Sequence, residues 1–167
     1  AAMQEAIEKV RAQAGHSWES PHQELQLTGP LMESRNPAHP NEVVALVQSA
    51  AIADVAAAVD LAVSSVEKWR RQPASERVAV MRGAAALMRE RRYELPAWEI
   101  IEVGKPWREA DADVAEAIDF LEFYAGQMDR LAPPLQLGHY PGERNHRVYA
   151  PRGVAAVIAP WNFPLAI

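Results

Sequence analysis

An asparagine set between aromatics and prolines, in Pro160-Trp161-Asn162-Phe163-Pro164, follows the apolar run Val154-Ala155-Ala156-Val157-Ile158-Ala159. A carboxamide held in a rigid turn can donate hydrogen bonds to a negative oxygen, which is what a preorganised oxyanion site requires. Asn162 is therefore a candidate catalytic residue, although the same side chain could do no more than turn the chain between Trp161 and Phe163. The run before it is short, apolar and bounded by turn formers, so it reads as a buried strand. In α/β sheets ligands gather beyond the carboxyl ends of such strands.

A second group of chemical side chains lies in the segment from Gly104-Lys105-Pro106 to Tyr124. Glu116, Asp119 and Phe123 fall at i, i+3 and i+7 and share one helical stripe. Carboxylates beside an aromatic can meet an amino group on a substrate; the plainer reading is a solvated helix face, with Asp111 and Asp113 complementing the helix dipole. The histidines, His16, His22, His39, His139 and His146, are scattered without metal-ligand spacing, so no metal site is expected. No Gly-x-Gly-x-x-Gly run and no nucleophile-elbow motif occurs. The chain has no cysteine, which excludes disulfides, thiolate metal sites and a thiol nucleophile within these residues.

The elements that must position these groups follow from periodicity. Residues 1–14 carry an amphipathic helix pattern. Gln23–Leu27 and Leu31–Ser34 alternate around Gly29-Pro30 and predict a hairpin, and Glu42–Gln48 is a further strand. Val55, Val59, Ala62, Val66 and Trp69 form one apolar stripe of a helix. A second helix opens at Pro73, with Met81, Ala85 and Met88 on one face. A third runs from Leu95 to Val103, with Gly104 as its carboxyl-terminal cap. Asp111 to Arg130 is a long helix whose apolar side is Val114, Ala117, Ile118, Leu121, Ala125 and Met128. Leu135–Tyr140 and Asn145–Ala150 flank a Pro141-Gly142 turn and predict a second hairpin. Arg89, Arg91 and Arg92 are read as solvent-facing cations near a helix end.

Helices, then a hairpin, then one buried strand is an unfinished α/β order, because a parallel-type strand needs neighbours on both sides. Together with the Ala1-Ala2 start, this reads as a piece cut from a longer chain. The net charge of −5 over 167 residues argues against nucleic acid and anionic membrane surfaces as partners. No apolar stretch approaches the ~20 residues of a membrane-spanning helix.

Pro160 to Leu165 closely resembles the signature loop of the aldehyde dehydrogenase superfamily. Gly104 to Tyr124 resembles the subgroup that oxidises L-glutamate γ-semialdehyde, the 1-pyrroline-5-carboxylate dehydrogenases. The resemblance extends over about Leu25 to Ile167. It implies the amino-terminal part of that α/β fold across residues 1–167, incomplete: helices, an oligomerisation-type hairpin arm at 135–150, and at 154–167 the first strand of a Rossmann-like NAD-binding core. It further implies that Asn162 helps hold the oxyanion of a cysteine thiohemiacetal, and that Ile158, Ala159, Pro160 and Trp161 contact NAD. Phe163 would line the aldehyde tunnel, and Glu116 would meet the substrate's α-amino group. Other implications are a small-molecule aldehyde substrate, a homo-oligomeric parent, and a cytoplasmic location (mitochondrial matrix in a eukaryote). FAD enters only if the parent is a bifunctional proline-oxidising enzyme. The family's cysteine and its glutamate base lie outside these residues, so the chain alone is expected to be inactive. Two rivals are an aldehyde dehydrogenase for another aldehyde and a short, non-catalytic assembly module.

Overall fold

The computed structural model describes residues 1–18 and 24–167. Helix α1 (Ala2–Arg11) buries Ile7 and Val10 one turn apart, while Glu5 and Lys9 pair on its outer side. A small sheet follows, made of β1 (His16–Trp18), β2 (Leu31–Arg35) and β3 (Val43–Gln48) in the order β1-β3-β2. The valine-rich strand takes the centre, parallel to β1 and antiparallel to β2, with Met32 opposite Val47 and a register shift between Ser34 and Arg35.

The first expected hairpin does not form. Leu31–Ser34 is a strand, but it pairs with β3, and Leu25–Thr28 carries no strand; Gln23 lies outside the described residues. Just after the expected strand, Thr28 is tied to Asp54, in the first turn of α2 (Ile52–Arg71). Its carboxylate accepts the Thr28 N–H at 2.7 Å, the Thr28 hydroxyl at 2.9 Å and the Ala51 N–H at 2.8 Å. Those backbone donors hold the Asp54 carboxyl below its ordinary range. Gly29 then closes on β3, its N–H donating to the Ser49 carbonyl at 3.1 Å. Capping α2 thus fixes Thr28, and β2 takes its partner from β3.

The helix pattern of α2 is as expected, but its apolar stripe is not covered. Val55, Val59 and Trp69 are 54%, 47% and 48% exposed, and Asp54 is the helix's buried residue. Among the described residues no helix or strand packs along its length.

Helices α3 (Ala74–Glu90) and α5 (Trp107–Leu131) pack closely. Ala85, Val114 and Ile118 are buried between them, with Met88, Leu95, Leu121 and Leu165 around the edge. Arg82 pairs with Asp129 and Arg89 with Glu122, each at 2.8 Å, so the helices run antiparallel. Exposed pairs of this kind add little stability but mark the register. The arginines near the end of α3 are thus engaged, Arg92 with Asp111 and Arg91 with Glu94, rather than simply solvated.

Helix α4 (Glu94–Glu102) joins two cores. Ala97 and Ile101 close a cluster with Ile7, Val10 and Val44, and Leu95 reaches the α3–α5 cluster. Gly104 ends it at φ +75°, and a Cβ there would lie 2.8 Å from Pro37 Cγ. Gly104→Ala therefore suffers both backbone strain and a clash, and should lose more than about 1 kcal/mol of stability in urea unfolding. An unchanged midpoint would contradict the geometry.

The second hairpin forms, but its ladder shortens to β4 (Leu135–Gln136) and β5 (His146–Arg147). The run 154–159 is not a strand here, and Val157 and Ile158 are 85% and 92% exposed. Among the described residues no strand lies beside it to satisfy its backbone, so its apolar composition cannot by itself produce a buried strand. Among the described residues no helix is long and apolar enough to cross a membrane, and no cluster has a metal-binding set.

Candidate active site

After the exposed run, the chain makes a turn in which the Phe163 N–H donates to the Pro160 carbonyl at 3.2 Å. Leu165 then enters the α3–α5 core and Ala166 is buried. Anchored there, the turn comes back over the α4–α5 junction and closes a cavity of about 390 Å³. Trp161, Asn162 and Phe163 form one wall. The other is built from the Gly104–Pro106 connector and from Glu109, Asp113 and Glu116 of α5. Those three acids stand at i, i+4 and i+7, the spacing that puts side chains on one helix face.

Glu116 and Asn162, far apart in sequence, thus line the same cavity, together with Trp161 and Phe163. Ile158, Ala159 and Pro160 do not line it; they sit in the exposed segment leading to it. Asp119 and Phe123 also stand apart, and Phe123 stacks edge-on against Tyr124 with ring centres 5.3 Å apart. Of the stripe expected on α5, only Glu116 is among the cavity's lining residues.

The structure adds a group that the sequence reasoning missed. Asp113, expected to serve the helix dipole in solvent, is 2% exposed. Lys105 Nζ lies 3.3 Å from Asp113 Oδ1 and 3.5 Å from Glu99 Oε2, and all three side chains are buried. The same ammonium stands 4.5 Å from the centre of the Phe163 ring. Glu99 is the electrostatic outlier. Burial, followed by the Asp113 carboxylate beside it, pushes the Glu99 carboxyl up to about 8, with Lys105 opposing the rise. The one signal in the sequence is that Glu99 interrupts the apolar run Leu95-Pro96-Ala97-Trp98 and Ile100-Ile101.

A cavity with acids on one side and a carboxamide between aromatics on the other suits a polar small molecule carrying a cationic group and a reactive carbonyl. Earlier in the same segment Val157 and Ile158, with Trp161 at 79% exposed, offer apolar surface.

The fold agrees with comparison to known proteins. The 1-pyrroline-5-carboxylate dehydrogenase of Geobacillus thermodenitrificans (strain NG80-2) is 42% identical over 163 residues, covering 97% of this chain and 32% of that protein. A crystal structure of 1-pyrroline-5-carboxylate dehydrogenase from Thermus with bound NAD superposes with a TM-score of 0.93 at 44% identity, over 99% of this chain and 32% of that one. Proline utilization A from Bdellovibrio bacteriovorus gives a TM-score of 0.94 at 37% identity, over 99% of this chain and 17% of that one. The chain spans about a third of the length of the first curated relatives it matches. Its helices and small sheets match the amino-terminal part of the fold that these structures share. Residues 26–167 match the aldehyde dehydrogenase family, and the chain belongs to it.

Proposed function

We propose that these residues form the amino-terminal portion of an NAD-dependent enzyme that oxidises L-glutamate γ-semialdehyde to glutamate, a step of proline catabolism. The observation that carries this reading is the meeting of Glu116, Asn162 and Phe163 in one cavity, in a chain that resembles 1-pyrroline-5-carboxylate dehydrogenases over nearly all its length. Glu116 accepts a hydrogen bond from the substrate's ammonium group. Phe163 packs against its aliphatic stem. Asn162 donates its amide N–H to the aldehyde oxygen as that oxygen gains charge on attack by a thiolate from elsewhere in the full polypeptide.

The exposed segment Ile158, Ala159, Pro160 and Trp161 supplies a wall for the dinucleotide, and the surface it offers fits a flat aromatic group. NAD, when bound, accepts the hydride. FAD belongs to this reading only through a flavin domain in a bifunctional parent. Residues 154–167 open the cofactor domain, with 154–159 as its first strand once neighbouring strands are present. The arm at 135–150 presents Leu135, Leu137 and Tyr149 at its surface and makes the subunit contacts of a homo-oligomer. The 167 residues alone, lacking a thiol, are inactive.

The test is NAD reduction by the full natural polypeptide with L-glutamate γ-semialdehyde and with a simple aldehyde of equal length. Glu116→Gln should raise KM for the amino-bearing substrate by roughly tenfold or more, the worth of a hydrogen bond to a charged group, and leave the simple aldehyde unaffected. Equal effects on both would favour a different aldehyde. Robust NAD reduction by the 167 residues alone would overturn the assignment of the chemistry to a thiol outside them.

A further inference from the structure

Resting on that reading, we propose that Lys105 is a positioning residue: its ammonium, clamped by Glu99 and Asp113, holds the Phe163 ring and so sets the turn that presents Asn162. The four groups come from four places in the chain. Glu99 is on α4, Lys105 in the connector after Gly104, Asp113 on α5, and Phe163 next to Asn162 in the turn. At 4.5 Å from the ring centre the ammonium is within range for attraction to the aromatic face, and burial strengthens such contacts.

The turn needs this tie. Its backbone bond from Phe163 to Pro160 is internal, and the anchor at Leu165 lies two residues beyond Phe163. Trp161 and Asn162 are exposed, so their own packing does not hold them. Nor does the cluster look like a device for stability alone. Among the described residues, the buried oxygens of Glu99 and Asp113 and the Lys105 nitrogen meet no hydrogen-bonding geometry. A buried ion group without that geometry gives little back for its desolvation. Contact with the ring gives the lysine a use that its pairing with Asp113 does not.

In the full natural polypeptide labelled with 4-fluorophenylalanine, the ¹⁹F resonances of Phe120, Phe123 and Phe163 are each assigned by loss in the corresponding Phe→Leu variant. Lys105→Met should move the Phe163 resonance and leave those of Phe120 and Phe123 in place, while Lys105→Arg, which keeps the cation, should return it toward its original position. In the full natural polypeptide, Lys105→Met and Phe163→Leu should each lower kcat about tenfold with KM for NAD unchanged, and the double variant should be no worse than either alone. An unmoved Phe163 resonance, or three resonances moving together, would overturn the proposal. So would additive losses in the double variant. If Lys105→Met does not fold, Asp113→Asn, which loosens the clamp and keeps the cation, decides the matter: it should move the Phe163 resonance alone, and an unmoved resonance would overturn the proposal. An inactive parent would remove the aldehyde reading while leaving the fluorine result interpretable.

Discussion

Asn162→Ala in the full natural polypeptide should lower kcat by about 100- to 1,000-fold, the cost of removing one preorganised donor to a developing oxyanion, some 2.7–4 kcal/mol. KM for the aldehyde should change little. An aldehyde oxygen carries only partial charge before attack, so the amide N–H gains most of its strength as the tetrahedral adduct forms, and an interaction made mainly in the transition state appears in kcat. Asn162 is exposed and lines the cavity wall, so truncating it removes a donor without opening a hole in a core. The thermal midpoint should therefore match the parent's. Steady-state kinetics with a single-turnover measurement of the chemical step would check this. A loss below about fivefold, or a rise in KM at constant kcat, would mean that Asn162 only turns the chain.

The contrast between the two ends of the cavity shows what the sequence discloses. Glu116 and Asn162 were legible because each sits in a local pattern, a helix face and a proline-bounded turn, that limits where its side chain can go. Their meeting was not legible, since it depends on how Leu165 anchors the turn against α3 and α5. Helices with a wide apolar face were read nearly to their ends. Strands were read less well. The segment before Gly29 had the alternation of a strand, but β2 pairs with β3 instead, and the adjoining Thr28 is held by Asp54. The run 154–159 had the composition of a buried strand and, among the described residues, lacks the neighbours that make one. Periodicity reports which face is apolar, as in α2, but not whether anything covers it. The buried ions were missed for a related reason: Lys105 and Asp113 look like surface residues when each is read on its own element, and only the packing of α4 against α5 brings them together with Glu99.

Glu99 also makes the fold sensitive to pH, with a sign opposite to that of ordinary paired carboxylates. In the unfolded chain its carboxyl ionises near 4.5, and in the folded chain it holds its proton to about 8. Below the lower value both states are protonated and the group's contribution is fully present. Between the two values the unfolded state has released a proton that the folded state still carries, so stability falls as pH rises, at up to about 1.4 kcal/mol per pH unit, and levels off above the folded value. Carboxylates whose acidity the fold strengthens, Asp54 and Glu94 among them, act the other way and only at the acid end, as pH falls through their depressed values. The test is urea unfolding of the 167-residue chain and its Glu99→Gln variant at pH 5.5, 7 and 8.5. Glutamine reproduces the neutral acid and leaves Lys105 paired with Asp113. The two proteins should therefore be similar at pH 5.5, and the variant should be the more stable by several kcal/mol at pH 8.5. Parallel curves would mean that Glu99 is ionised in the fold throughout, with Lys105 as its effective counter-charge. The carboxyl can stay neutral to so high a pH because the cluster then carries one positive and one negative charge, Lys105 and Asp113. A second carboxylate would leave an unbalanced charge beside the Phe163 ring, at a place closed to solvent.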